Sequence, residues 1–417
     1  MTRTIVKVYD WLQYRTIGLL RRTRKGVSME QSDIVIVGAA RTPFGKLLGG
    51  LSSLAATELG ALAIRGALEK GGVDASLVDA VIMGQVLQAG AGQNPAKQAA
   101  LGAGVPPSAH TTTVNKVCLS GLSAIIDASR LLRSQEAEVV VAGGMESMSQ
   151  APHLLRGLRK GHKYGPTPMI DHMDHDGLRA ADLEISMGSL SEKYADRYPV
   201  TRQEQDHCSV LSHERAAIAD FSHELVKVEV GSRNGVEVVE ADEGIREGVT
   251  EESLSHLLPA FEKDGSITAG NASPISDGAA AVVLTTRAKA QENGWVPLAT
   301  LRAAGQVAGP DSSLQAQPAN ALKAALNRQQ WEVEDLDVIE INEAFAAVVV
   351  HSARELGIEP DKVNAQGGAI AMGHPIGASG ARLVVHAAHL LANGAQKAGV
   401  ALCGGGGQGE ALLLERK

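Results

Sequence analysis

One order of elements can be read twice along this chain, and that duplication limits the fold more than any single motif. In the first pass, a helix with apolar residues at Leu54, Leu59, Leu62, Ala63 and Leu68 stops at Gly71-Gly72, and a strand follows over 78–84. The β-branched run Thr111 to Val114 then turns at Asn115–Ser120 into a helix through Leu132. A strand from Glu138 ends in Gly143-Gly144, and a further strand covers Ala280 to Leu284. In the second pass, Asn320 to Leu326 is helical and Leu336 to Glu343 is a strand. Val363-Asn364 leads through a glycine-rich turn into a helix over 380–391, Val400 to Cys403 ends in Gly404-Gly405, and 409–414 closes the set. The period is far too long for a solenoid. The order predicts two related α/β halves, each with a mixed sheet, and Asp33 to Gly38 adds an apolar, doubly buried strand at the start.

Between the passes the texture changes, with Pro, His and Asp frequent and one long helix from Thr201 to Ser222 opened by a Thr201/Glu204 capping box. The expected organisation is a basic extension at 1–30, a first half at 31–147 and 270–297, an inserted loop domain at 148–269, and a second half at 298–417. The Asp171–Asp176 cluster fits no metal-ligand spacing and reads as a solvated loop, so no metal site is expected.

Composition narrows the function classes. A net charge of −8 and aromatic content of 3 % argue against a phosphate-backbone or base-stacking nucleic-acid binder. No apolar run approaches the roughly 18 residues of a membrane span. Cysteines only at 118, 208 and 403 make neither a disulfide framework nor a zinc site and point to a reducing compartment, the cytoplasm. The first 28 residues instead carry Arg3, Lys7, Arg15, Arg21, Arg22, Arg24 and Lys25 against the single acid Asp10. This segment reads either as a mitochondrial transit peptide or as the product of an upstream start codon before Met29. Its few serines favour the second.

Three places carry chemistry. Cys118 stands where a strand hands over to a helix, a position at which free N–H groups favour a thiolate. His374, between Gly373 and Pro375 ahead of a helix, is held by backbone geometry and can exchange a proton near neutrality. Cys403 precedes Gly404 to Gly407, a side-chain-free loop whose N–H groups can approach an oxyanion. The Lys-Ser/Thr of a phosphate-binding loop is missing there. Asn342-Glu343 adds a polar pair at a strand end.

Together the Cys118 stretch, Gly143-Gly144-Met145-Glu146-Ser147, Asn342-Glu343-Ala344-Phe345, Gly373-His374-Pro375 and the Cys403-glycine loop resemble the thiolase family, over roughly residues 33–417. The resemblance implies a thiolase-like α/β fold of two halves with mixed five-stranded sheets packed in layers. It also implies a reversible Claisen condensation of two acetyl-CoA to acetoacetyl-CoA plus CoA, with those thioesters as substrates and no cofactor. Cys118 would become acylated, His374 would activate it, and Cys403 would move the α-proton of the second acetyl-CoA. Asn342 with His374, and the N–H groups of Cys118 and Gly405, would form the oxyanion holes. Arg246, Ser253, Ser273, Met187 and Phe345 would contact CoA and its acyl group, and a homodimer or homotetramer is implied. Ser186-Met187-Gly188, where many short-chain members read His-Met-Gly, leaves a broader 3-ketoacyl-CoA thiolase as the alternative. A ketoacyl-synthase-like enzyme needs no second catalytic cysteine, so Cys403 counts against it. A non-catalytic relative would have lost the nucleophile or the histidine, and both are here.

Overall fold

The computed structural model describes residues 32–232 and 235–416, so the basic segment 1–30 and the readings placed on it lie outside the described residues. Ten strands form one sheet: β1 (Ile34–Arg41), β2 (Gly45–Lys46), β3 (Ala80–Gly84), β4 (His110–Val114), β5 (Val139–Ser147), β6 (Ser276–Thr286), β7 (Ala299–Ala308), β8 (Val338–Ile341), β9 (Lys397–Gly404) and β10 (Gln408–Glu415). Their order is β8-β9-β10-β7-β1-β6-β5-β3-β4, with β2 beside β6. β3 runs parallel to β4 and β5, and β8 parallel to β9, while the remaining pairs are antiparallel.

The mixed α/β architecture of two halves agrees with the expected fold, and the strands of the two halves join in one sheet rather than in two of five. The first half supplies five strands, β4-β3-β5-β6-β1, but the second supplies four, and β1 pairs with β7 through Val35–Thr300 and Ile36–Ala299 to make the sheet continuous. The missing fifth strand falls at Val363-Asn364. Asn364 adopts a left-handed φ of 53°, which a short polar side chain tolerates. Its N–H donates to the Ile339 carbonyl, and its side chain exchanges bonds of 2.9 and 2.8 Å with the N–H and carbonyl of Ile341. A side-chain amide thus completes the edge where backbone would have continued it.

Strand alternation builds the layers, because successive side chains point to opposite faces. Val140, Ala142, Val400 and Leu402 face one inner core with α3 (Ser120–Arg133) and α7 (Ser379–Ala392). Val139 and Val141 face outward onto α1 (Ala56–Gly71) and α2 (Pro95–Gly102). Ala401 and Leu413 face α5 (Gln317–Gln329) and α6 (Ala346–Leu356). A fully buried Leu or Ile in these layers contributes about 1.5–3 kcal/mol. Where α3 meets α7 the backbones nearly touch: a Cβ on Gly380 would lie 2.7 Å from the Leu122 amide nitrogen and one on Gly121 2.9 Å from that of Ala381. Glycine there lets the two helix starts, one behind Cys118 and one behind His374, approach each other.

Within 148–269, α4 (Arg202–Ile218) is shorter than the helix read to Ser222, though its Thr201/Glu204 capping box is present. Its Cys208 joins the core of the second half. Buried Arg41 of β1 binds Glu224 at 2.6 Å and Asp242 at 2.7 Å, fastening the insertion to the first half.

Candidate active site

Cys118, His374 and Cys403 open onto one cavity of about 250 Å3, together with Gly405, Met187, Ser273 and Phe345. These groups come from different halves, and the two turn–helix units abut to bring them together.

The turn before α3 is tightly bonded. Lys116 N–H donates to Ser120 Oγ at 2.8 Å and Ser120 Oγ donates to the Val117 carbonyl at 2.6 Å. Val117 is held at φ 51°, a region that costs a β-branched residue about 1–3 kcal/mol. That strain sits immediately before Cys118. Lys116 also pairs with Glu410 of β10 at 2.6 Å, tying this turn to the second half.

The helix start was expected to depress the Cys118 thiol, and the structure reverses this. Burial pushes it up to about 12, the backbone N–H groups of Cys118 and Gly405 draw it down only in part, and Glu146 nearby raises it further. Desolvating a thiolate outweighs two hydrogen bonds to it. The resting group is therefore a thiol that needs a base. Cys403, at the end of β9, is shifted upward too, by burial and then by Cys118 beside it.

His374 can serve as that base. Burial, helped by Arg382, lowers its imidazole to about 4, so the ring is neutral at physiological pH. Its Nδ1 lies 2.5 Å from Ser379 Oγ, while Ser379 Oγ donates its own proton to the Pro375 carbonyl at 3.0 Å. With Ser379 donating to Pro375, its oxygen is free to accept from Nδ1–H, a tautomer that leaves the lone pair on Nε2. Among the described residues, buried Nε2 has no hydrogen-bond partner, and neither has Oδ1 of Asn342. Asn342, fully buried just after β8, brings its Nδ2 to 3.5 Å from His374 Nδ1. Ser379 was not singled out from sequence, although its place five residues after His374 at a helix start could have marked it. Ser379→Ala is expected to free the ring to take the other tautomer and lower kcat about 10- to 100-fold with KM little changed, as steady-state kinetics will show.

Two buried carboxylates hold the ends of the segment that carries His374: Ile370 N–H donates to Glu343 and Gly377 N–H to Glu146, both at 2.9 Å. Phe345 stands edge-on to Phe261 with ring centroids 6.1 Å apart, and Leu178, Leu314 and Ile376 complete an apolar wall. Ser273 Oγ donates to the Ala344 carbonyl at 3.1 Å.

Arg246 lies elsewhere, in a small second cavity with Lys46 and His213, which adjoins the first along Ala272–Pro274. Ser253 lines neither cavity. It is exposed, and its hydroxyl donates to the Thr250 carbonyl at 2.7 Å at the start of a short helix. The 171–176 segment is more than a solvated loop. Buried His172 pairs with Asp176 at 2.6 Å and accepts from Ala89 N–H, and this brings Asp174, Gly177 and Leu178 against the cavity.

Sequence comparison agrees with this arrangement. A model described as the thiolase N-terminal domain matches residues 34–288, and one described as the thiolase C-terminal domain matches 295–416. The chain is 56 % identical to a probable acetyl-CoA acetyltransferase of Mycolicibacterium smegmatis, over 92 % of this chain and 100 % of that protein. It is 47 % identical to the acetyl-CoA acetyltransferase of Cupriavidus necator, over 93 % of this chain and 100 % of that protein. To acetyl-CoA acetyltransferase 2 of Arabidopsis thaliana it is 45 % identical, over 93 % and 98 %. With matches over nearly its whole described length and both halves contributing to one two-cysteine cavity, the chain belongs to the thiolase family.

Proposed function

We propose that this protein is an acetyl-CoA C-acetyltransferase that condenses two acetyl-CoA to acetoacetyl-CoA and CoA, reversibly, through an acetyl-cysteine. The observation that carries the reading is the convergence of Cys118, His374 and Cys403 on one short apolar cavity.

In the first half-reaction, His374 Nε2 takes the Cys118 proton as Sγ attacks the thioester carbonyl. The oxyanion lies toward the N–H groups of Cys118 and Gly405. As the C–S bond to CoA breaks, the departing thiolate takes a proton from Cys403. Acetylated Cys118 then faces an imidazolium at His374 and a thiolate at Cys403. In the second half-reaction that thiolate removes the α-proton of a new acetyl-CoA. The enolate oxygen is held by His374 and, through a water, by Asn342, and its carbon attacks the acetyl group. Cys118 leaves as a thiolate and recovers its proton from His374, so all three groups return to their starting states. No step calls for a cofactor.

Leu178, Met187, Phe261, Leu314, Phe345 and Ile376 leave about 250 Å3, which suits a short acyl group. Lys46 and Arg246 at the adjoining cavity place cations where the phosphorylated end of CoA can rest, and Ser273 lies between. A homodimer or homotetramer fits the outer position of β4 in the sheet and the exposed Leu155, Leu158 and Met169 of the insertion. A cytoplasmic setting fits the three free thiols.

Thiolysis of 3-ketoacyl-CoA substrates of increasing chain length tests the acyl assignment. The expected profile falls about tenfold or more beyond the four-carbon substrate, as added methylenes meet a closed wall. A flat or rising profile would instead establish the broad-range 3-ketoacyl-CoA enzyme.

A further inference from the structure

Glu146 ends β5 fully buried, and among the described residues no cation pairs with it. A buried carboxylate without a counter-ion is costly unless its lone pairs are filled. Here backbone fills them. Val86 N–H and Gly377 N–H donate to Oε2 at 3.0 and 2.9 Å, and Leu87 N–H donates to Oε1 at 3.0 Å. Val86 and Leu87 belong to the loop after β3 and pack with Cys118, Met148 and Ile376. Gly377 closes the turn that begins at His374, in the other half. One side chain therefore binds the wall beside the nucleophile and the turn that carries the base.

The packing leaves little other means of setting that distance. A Cβ on Gly377 would stand 2.7 Å from Glu146 Oε2 and 2.9 Å from the Met145 carbonyl. The carboxyl offers an acceptor to all three donors, two on Oε2 and one on Oε1, even though burial raises it to about 7; an amide would turn an NH2 group toward one of them.

We propose that Glu146 is a positioning residue for the reaction, holding the His374 turn of one half in register with the Cys118 wall of the other. This role rests on the site reading above. Glu146 touches no reacting atom in it; it acts through the backbone it holds.

The test uses the full-length enzyme and two readouts: covalent acetylation of Cys118 by acetyl-CoA, followed by peptide mass spectrometry, and alkylation of Cys118 by iodoacetamide across pH. Glu146→Gln is expected to slow both near neutrality about tenfold or more, and to lower kcat similarly, while KM for acetyl-CoA changes less than about threefold. Alkylation of the variant should recover only as pH climbs toward the thiol's own ionisation, because the proton acceptor is misplaced. Ile64→Val, in the outer core, gives a comparison variant whose stability falls without touching the site. Rates in Glu146→Gln within about twofold of wild type, or losses matched by Ile64→Val at equal melting-temperature loss, overturn the role. Should Glu146→Gln not fold, Glu146→Asp decides by the same measurements, since it keeps the charge but withdraws the acceptors by one methylene. A wild-type enzyme that takes no acetyl group at Cys118 overturns the site reading and this role together. A wild type that acetylates beside an unimpaired Glu146→Gln overturns the role alone.

Discussion

Cys118→Ala is expected to abolish acyl transfer, lowering kcat by about 10³-fold or more, with melting temperature little changed. Removing the sulfur removes the atom proposed to hold the acetyl group between half-reactions, beside the His374 proposed to take its proton. Fold stability should survive because Cys118 lies in a turn outside the close-packed centre of α3 and α7 and the residue is only half-buried. Incubation with acetyl-labelled CoA followed by peptide mapping checks this directly. Wild type should carry the label on Cys118 and the variant none. Label found on Cys403 instead would reverse the assignment of the two thiols.

Cys403→Ala should behave differently in kind. The variant is expected to take up label at Cys118, more slowly, and then to stop. Without the Cys403 thiol the departing CoA has lost its proton donor and the second acetyl-CoA its base, so condensation should fall about 10²- to 10⁴-fold. The discriminating measurement is exchange of the α-hydrogens of acetyl-CoA with deuterated water, which should persist in wild type and vanish in Cys403→Ala. Persistent exchange would place the base elsewhere. The local electrostatics favour this division. Both thiols are pushed upward by burial, so neither can ionise until a proton is passed on, and His374, neutral with its lone pair on Nε2, is placed to take the first.

Much of this arrangement was legible in the chain. The duplicated order of elements anticipated two α/β halves, and the turns holding Cys118, His374 and Cys403 could be placed at strand and helix ends from glycine and β-branched patterns. Several elements were not, and two of them show why. β7 carries Gly305 in its interior, and α6 contains the β-branched run Val348 to Val350 in its first half, so local preference and final state disagree. Tertiary packing overrides it in both cases. The residues expected around CoA are more scattered than Cys118, His374 and Cys403. Arg246 lies beside an adjoining cavity and Ser253 outside both, because a residue's offset along a loop does not determine which wall the loop covers.

The sequence by itself determined which residue types stand at which chain positions: two cysteines and a histidine, each beside a turn, glycine-rich at His374 and Cys403. It also determined that the halves resemble each other, since that is a matter of order along the chain. Only the tertiary structure decided how those groups behave. The helix start alone predicted a lowered Cys118 thiol. Enclosure by both halves raises it, because desolvation depends on everything packed around an atom and not on its neighbours in sequence. The setting of His374 was decided in the same way, by its contact with Ser379, and its turn is held by a carboxyl group more than two hundred residues away in the chain.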